Sequence, residues 1–250
     1  MTRFRSLSVS LALASALALV DIAQAQPAFQ VADLNTKTPG TTSFFVFGSI
    51  FAALGSNVYF AADDGLHGVE LWKTDGSEKG TRMVRDLCPG ACSGLGFQII
   101  AWNGALYFQG DDGVRGAELW KTDGTAAGTT LVADIFPGLG SSHPGGFTLF
   151  DSQLYFLAND GTHGSEPWKS DGTAAGTTLL ADIRAGFEGS DSWYWTQVGT
   201  RLLFGGDDGV HGEELWTTDG STTALLRDIR AGAPASLIQT FSTPFFPIFA

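Results

Sequence analysis

Side chains of three metal-ligating types recur together along this chain. Asp64, His67 and Glu70 lie within one short stretch, Asp160, His163 and Glu166 repeat the spacing, and Asp208, His211 and Glu214 repeat it again. Each set sits in or just after a glycine-rich turn, DDGLHG from 63, NDGTHG from 159 and DDGVHG from 207. Such a turn would hold a carboxylate and an imidazole close together. The second copy, DDGVRG from 111, puts Arg115 where the histidine would stand, between Asp112 and Glu118. A required transition-metal ligand does not fit that exchange within one array. Calcium suits the motif better, because it takes oxygen ligands from carboxylates and turn carbonyls. Its candidate ligands are Asp64, Glu70, Asp112, Glu118, Asp160, Glu166, Asp208 and Glu214. The motif is not that of an EF-hand, which alternates acidic positions ahead of its glycine. The competing reading is architectural: the aspartates bond their own turn amides and the glutamates support neighbouring strands.

A second set of candidates is unrepeated. His143, Glu188, Asp191, Trp193 and Tyr194 fall between the repeats, where loops carry function. Trp193 and Tyr194, with Asp191 beside them, have the chemistry of a carbohydrate or other surface-ligand site. Aromatic rings stack on sugar faces while carboxylates bond hydroxyls. Ordinary strand packing is the alternative for both aromatics. The chain holds no nucleophile elbow, HExxH, phosphate loop or dinucleotide fingerprint. A glycoside hydrolase using two of the many carboxylates is the enzymatic alternative to a binding module, since sequence spacing does not give their separation in space.

These residues are carried by a repeat. Trp72, Trp120, Trp168 and Trp216 are each 48 residues apart. Around every tryptophan the same landmarks return in order: an aromatic pair such as Tyr107-Phe108 (Leu203-Phe204 in the last copy), the DDGxHG turn, Glu-Leu-Trp, a Thr/Ser-Asp-Gly turn, and an apolar run closed by Asp86, Asp134, Asp182 or Asp228. In the second copy the segments FQIIAW, ALYFQG, AELWKT and TTLVADI are separated by NG, DDGVRG and DGTAAG, which is hairpin chemistry. Four short antiparallel strands per unit predict an all-β chain, a β-propeller of 48-residue four-stranded blades. The expected blades span about 43–90, 91–138, 139–186 and 187–232. The recurring large apolar residues then form the core between blades, and Asp75, Asp123, Asp171 and Asp219 fix their hairpins.

With DDGxHG ahead of it and GTTLVADI after it, the segment ELWKTDGT resembles the secreted bacterial ELWxxDGT repeat proteins, over about residues 28–237. That resemblance implies an extracellular, propeller-like repeat protein and brings no catalytic residue with it. The chain departs from the motif at Pro167 and in the shortened fourth turn.

The ends add expectations of their own. MTRFR, an apolar stretch and AQA read as a secretory signal peptide over 1–25, cut after Ala25, which directs the protein outside the cytoplasm. The apolar run is too short for a spanning helix, so no membrane insertion is expected after cleavage. The remainder, 26–250, is one repeat domain in which 26–42 resembles a last strand and 233–250 the first two strands of a partial fifth blade. A five-bladed ring closed by both termini and a shortened array with open edges are both compatible with this, the second inviting self-association. Loss of residues 1–25 leaves 12 basic against 25 acidic residues, a net charge of −13. That charge repels phosphate backbones and anionic lipids, which argues against nucleic acid and membrane surfaces and leaves carbohydrate or a protein surface as partner. Cys88 and Cys92 in CPGAC are expected to form a local disulfide outside the cytoplasm. Two cysteines alone do not make a zinc site.

Overall fold

The structure, a computed structural model, describes residues 51–231 apart from the Phe97 side chain. The signal peptide expected at 1–25 and the partial blade expected from 26–42 and 233–250 lie outside the described residues. The described chain is all β. In order it forms β1 (Phe51–Leu54), β2 (Asn57–Asp63), β3 (Val69–Thr74), β4 (Arg82–Arg85), β5 (Leu95–Trp102), β6 (Ala105–Asp111), β7 (Ala117–Thr122) and β8 (Thr130–Ala133). Then follow β9 (Gly145–Phe150), β10 (Gln153–Asn159), β11 (Ser165–Ser170), β12 (Thr178–Leu179), β13 (Trp193–Val198), β14 (Arg201–Asp207), β15 (Glu213–Thr218) and β16 (Thr223–Arg227). These strands make four antiparallel four-stranded sheets, each in simple chain order.

Local chemistry sets the hairpins. Asn103-Gly104 joins β5 to β6 with φ of 48° and 75°, the left-handed pair that matches the twist of a two-residue hairpin. Asp151 and Ser152 take the same geometry at 46° and 58° without a glycine. The fourth strands are shorter than the run TTLVADI suggested: β8 stops at Ala133, because the amides of Ile135 and Phe136 turn away to a glutamate of the third strand.

A strand sends alternate side chains to opposite faces, so the aromatic pair of β2, β6 and β10 serves two interfaces. Tyr59, Leu71 and Val84 of the first sheet pack against Phe108 and Trp120 of the second. Tyr107, Leu119 and Val132 pack in turn against Phe156 and Trp168 of the third. Phe150 and Tyr155 meet Leu202 and Trp195 of the fourth. Each fully buried aromatic of this kind contributes about 1.5–3 kcal/mol, so neither face of a sheet is stable without a neighbour. First strands lie side by side, β1 on β5, β5 on β9 and β9 on β13. Among the described residues no comparable packing joins β13 back to β1.

One residue of each connecting loop stitches adjacent sheets through the backbone. Gly94 donates to Val69 O at 3.1 Å and accepts from Asp111 N at 3.0 Å. Ser142 makes the same pair of bonds with Ala117 and Asn159, and Ser190 with Ser165 and Asp207. The loops are thereby fixed against the turns that carry the candidate residues.

Candidate functional site

The first aspartate or asparagine of each DDGxHG turn closes it locally: Asp63, Asp111, Asn159 and Asp207 accept from the amide two residues on at 2.6–2.7 Å. The next aspartate takes two amides on one oxygen, as Asp64 Oδ1 does from Leu66 (2.9 Å) and His67 (3.0 Å). Its other oxygen meets the side chain three residues later. Asp64 Oδ2 lies 2.7 Å from His67 Nδ1, and Asp160–His163 and Asp208–His211 repeat that distance. In the second repeat Asp112 pairs with the Arg115 guanidinium instead. The bond to Asp64 raises the His67 pKa above 6.5. Partial burial works against ionisation of Asp64, but the histidine and the two amides outweigh it and hold the carboxyl below its ordinary range.

The glutamates go elsewhere. Glu70, Glu118, Glu166 and Glu214 are 0–1% exposed and each turns toward the loop that follows the fourth strand. Glu70 accepts the amides of Leu87, Cys88 and Gly94 at 3.2, 3.3 and 3.0 Å. Glu118 accepts those of Ile135, Phe136 and Ser142, and the Ser142 hydroxyl at 2.6 Å. Glu166 accepts the amides of Ile183 and Arg184 and the Ser190 hydroxyl, while Glu214 accepts the amide of Ile229 at 3.3 Å. Burial pushes the Glu70 carboxyl up to about 7 against the pull of its amide donors, and Glu118 and Glu166 rise for the same cause. The sets read in the sequence as Asp, His and Glu are therefore divided between an exposed turn and a buried loop anchor. Among the described residues, no group of three or more His, Cys, Asp or Glu side chains comes together to hold a metal ion.

Asp75, Asp123, Asp171 and Asp219 each cap a Thr/Ser-Asp-Gly turn, as Asp123 does with the Thr125 amide at 2.8 Å and its hydroxyl at 2.7 Å. Cys88 and Cys92 are joined by a disulfide with Cα atoms 5.4 Å apart. The Cys88 sulfur lies under Gly113 of the next repeat's turn, where the third repeat's Gly161 meets Phe136 and the fourth repeat's Gly209 meets Arg184.

Of the unrepeated residues, His143 lies in the loop between β8 and β9, Glu188 and Asp191 in the loop between β12 and β13, and Trp193 and Tyr194 open β13. β14 runs toward its Asp207 end, which opens the DDGVHG turn, and Trp193 pairs with Gly205 close to that turn. Trp193 is 47% and Tyr194 65% exposed. Asp191 is also exposed, with Ser192 buried between it and Trp193. Tyr194 has φ of 64°, and 48 residues earlier the equivalent position is Gly146 at 66°. A side chain in that region costs roughly 1–2 kcal/mol, a strain that glycine avoids. A register shift between Trp193 and Thr196 lifts this segment out of the regular ladder. Leu66, Val114 and Val210 at the turn tips, and Leu139 and Phe187 in the loops beside them, are exposed too. Glu188 pairs with Arg184, which also reaches Asp207 at 3.2 Å, and His143 is exposed with φ of 47°.

Sequence reasoning missed one recurring contact. Lys73, Lys121 and Lys169 donate to the carbonyls of Gly124, Gly172 and Gly220 in the following repeat, at 2.6, 2.9 and 2.7 Å. The signal was present in the period, because a lysine follows the tryptophan in the first three copies and a threonine in the fourth.

No protein-family model and no curated protein matches the chain. Solved structures do. They include the computationally designed Ika8 protein (17% identity, TM-score 0.38, covering 69% of this chain and 46% of that one). A puromycin hydrolase matches at 16% identity and TM-score 0.43, over 68% of this chain and 27% of that one. TolB from Acinetobacter baumannii matches at 15% identity and TM-score 0.41, over 68% and 40%. The chain thus spans less than half the length of each of these structures.

Proposed function

We propose that the chain is a non-catalytic extracellular interaction module, an ELWxxDGT-type repeat protein built of β-propeller blades, whose DDGxHG end binds a carbohydrate surface. The observation that carries this reading is the exposed Trp193–Tyr194 pair, with Tyr194 held at a φ of 64° where the preceding repeat uses glycine. A strained, exposed aromatic contributes little to the core, and such outliers concentrate at ligand sites. The repeated polar residues support the same reading from the other side, since their carboxylates are occupied with turn amides, loop amides and basic side chains. What remains for a ligand is aromatic and apolar surface, flanked by the exposed Asp191, which suits a sugar face and its hydroxyls. Secretion is part of this reading and rests on the residues of the expected signal peptide.

The test is a glycan array probed with wild type, Trp193→Ala and Tyr194→Gly, in calcium and in EDTA. Saturable binding is expected in wild type and lost in both variants, while Tyr194→Gly unfolds no earlier than wild type because its strain is relieved. Binding unchanged by both substitutions would remove the site. Turnover of a glycoside by the wild type would replace the binding module with a hydrolase.

A further inference from the structure

Each of the first three sheets grips the next at one glycine. Directly across the strand pair from Lys73, Lys121 and Lys169 stand Tyr59, Tyr107 and Tyr155. The hydroxyl of each tyrosine lies against the same glycine whose carbonyl the lysine bonds, so that a side chain at Gly124, Gly172 or Gly220 would collide with it. These glycines have φ of 88–89°, and the first two are buried. The seam is therefore a socket, a left-handed turn with one carbonyl, filled by a paired hydroxyl and ammonium from the preceding sheet.

Both outer sheets of the described array break this arrangement. Gly76, the first repeat's copy of the socket, keeps its left-handed φ of 90° and its Asp75 cap, yet it is exposed. Among the described residues nothing lies within 4 Å of where its Cβ would be. The face beside it is uncovered by the described residues as well. Phe60 is only half-buried where Phe108, Phe156 and Phe204 are 0–1% exposed, and Phe51, stacked on it, is 60% exposed. At the other end, Leu203 and Thr217 occupy the tyrosine and lysine positions and face each other in the same register. Among the described residues Thr217 Oγ1 is buried without a hydrogen-bond partner, a polar atom left at the point from which the lysines reach outward.

We infer that the Gly76 turn is an open docking socket for a β-sheet repeat bearing the tyrosine–lysine pair, supplied by another chain, and that Leu203 and Thr217 bar a second copy of this chain from filling it. The partner's chemistry follows from three occupied examples in one molecule: an ammonium for the Gly76 carbonyl, a phenol over the glycine, and an apolar sheet face for Phe51 and Phe60. The socket end accepts an addition and the fourth sheet stops it, which suppresses head-to-tail polymerisation of identical chains.

The test restores the missing pair. Leu203→Tyr/Thr217→Lys makes the full chain carry its own complementary repeat, and its mass is read by sedimentation velocity across a concentration series. Wild type is expected to stay monomeric and the double variant to form concentration-dependent species of at least twice its mass. Adding Gly76→Asn, a residue that tolerates positive φ but fills the socket, is expected to return the double variant to monomer. Thr217→Lys alone is a milder second variant should the pair perturb folding, with near-UV circular dichroism reporting the packing. A folded double variant that stays monomeric overturns the inference, as does association that persists with Gly76→Asn. A fourth sheet that tolerates neither variant also overturns it, because its positions are then not equivalent to Tyr155 and Lys169.

Discussion

Replacing Glu70 by glutamine separates the two effects that set the worth of the buried carboxylate. Burial raises the Glu70 pKa from 4.5 to about 7 against three amide donors. A shift of that size corresponds to roughly 3 kcal/mol of differential stability between the protonated and ionised forms. The folded chain holds this proton more tightly than the unfolded chain. The resulting stabilisation is therefore fully present below pH 4.5 and is lost as pH rises through about 7. Glutamine does not titrate, so the advantage of wild type over the variant should fall by roughly 3 kcal/mol between pH 4 and pH 8. Set against this is geometry. A glutamine oxygen turned toward Cys88 and Gly94 leaves the Leu87 amide facing an NH2 group, at a cost of about 1–3 kcal/mol. Wild type should thus be clearly the more stable at pH 4, and the two proteins should converge or cross at pH 8. Urea unfolding of both at the two pH values measures the difference, and the other three glutamates, present in both, cancel. A stability difference that does not change with pH would refute the account of a carboxylate held up by burial.

Three further outcomes follow from the same geometry. In a proton NMR titration His67, His163 and His211 should titrate above 6.5, and Asp64→Asn should bring His67 alone back toward that value. The stability each pair adds is present below pH 6.5 and lost as pH rises through the raised value. Lys121→Thr, which copies the fourth repeat's choice, removes the 2.9 Å bond to Gly172 and should cost about 1.5–3 kcal/mol, read as a lower Tm. Calcium and EDTA should leave the Tm unchanged, because the turn carboxylates are occupied by amides, histidine and arginine. A Tm raised by calcium would return Asp64, Asp112, Asp160 and Asp208 to the role of metal ligands.

Much of the architecture was legible because it is written at short range. Alternation of apolar residues, Asn103-Gly104, and Asp-Gly turns act through sterics and hydrogen bonds spanning two or three residues, so a 48-residue period implies repeated hairpins before any coordinates are known. The capping aspartates belong to that class, and each finds its amides within three residues. The glutamates do not. Glu70 stands six residues from Asp64 in the chain, yet its partners are the amides 17 to 24 residues further on. Its separation from the turn came from where the third strand points in the packed sheet, which no local rule contains.

From the letters alone followed an all-β repeat, its turns, and the list of side chains able to do chemistry. Only the packed molecule decided which of them face solvent. Trp195 lies against Phe204 while Trp193 and Tyr194 stand out at the end of the array, although one strand carries all three. Likewise the lysine after each of the first three repeat tryptophans acquires its partner 51 residues later, in the following repeat. The physical reason is that hydrogen-bond and steric preferences are settled between neighbours in sequence, whereas burial depends on which sheet covers which. That is fixed only when one repeat's apolar face meets the next.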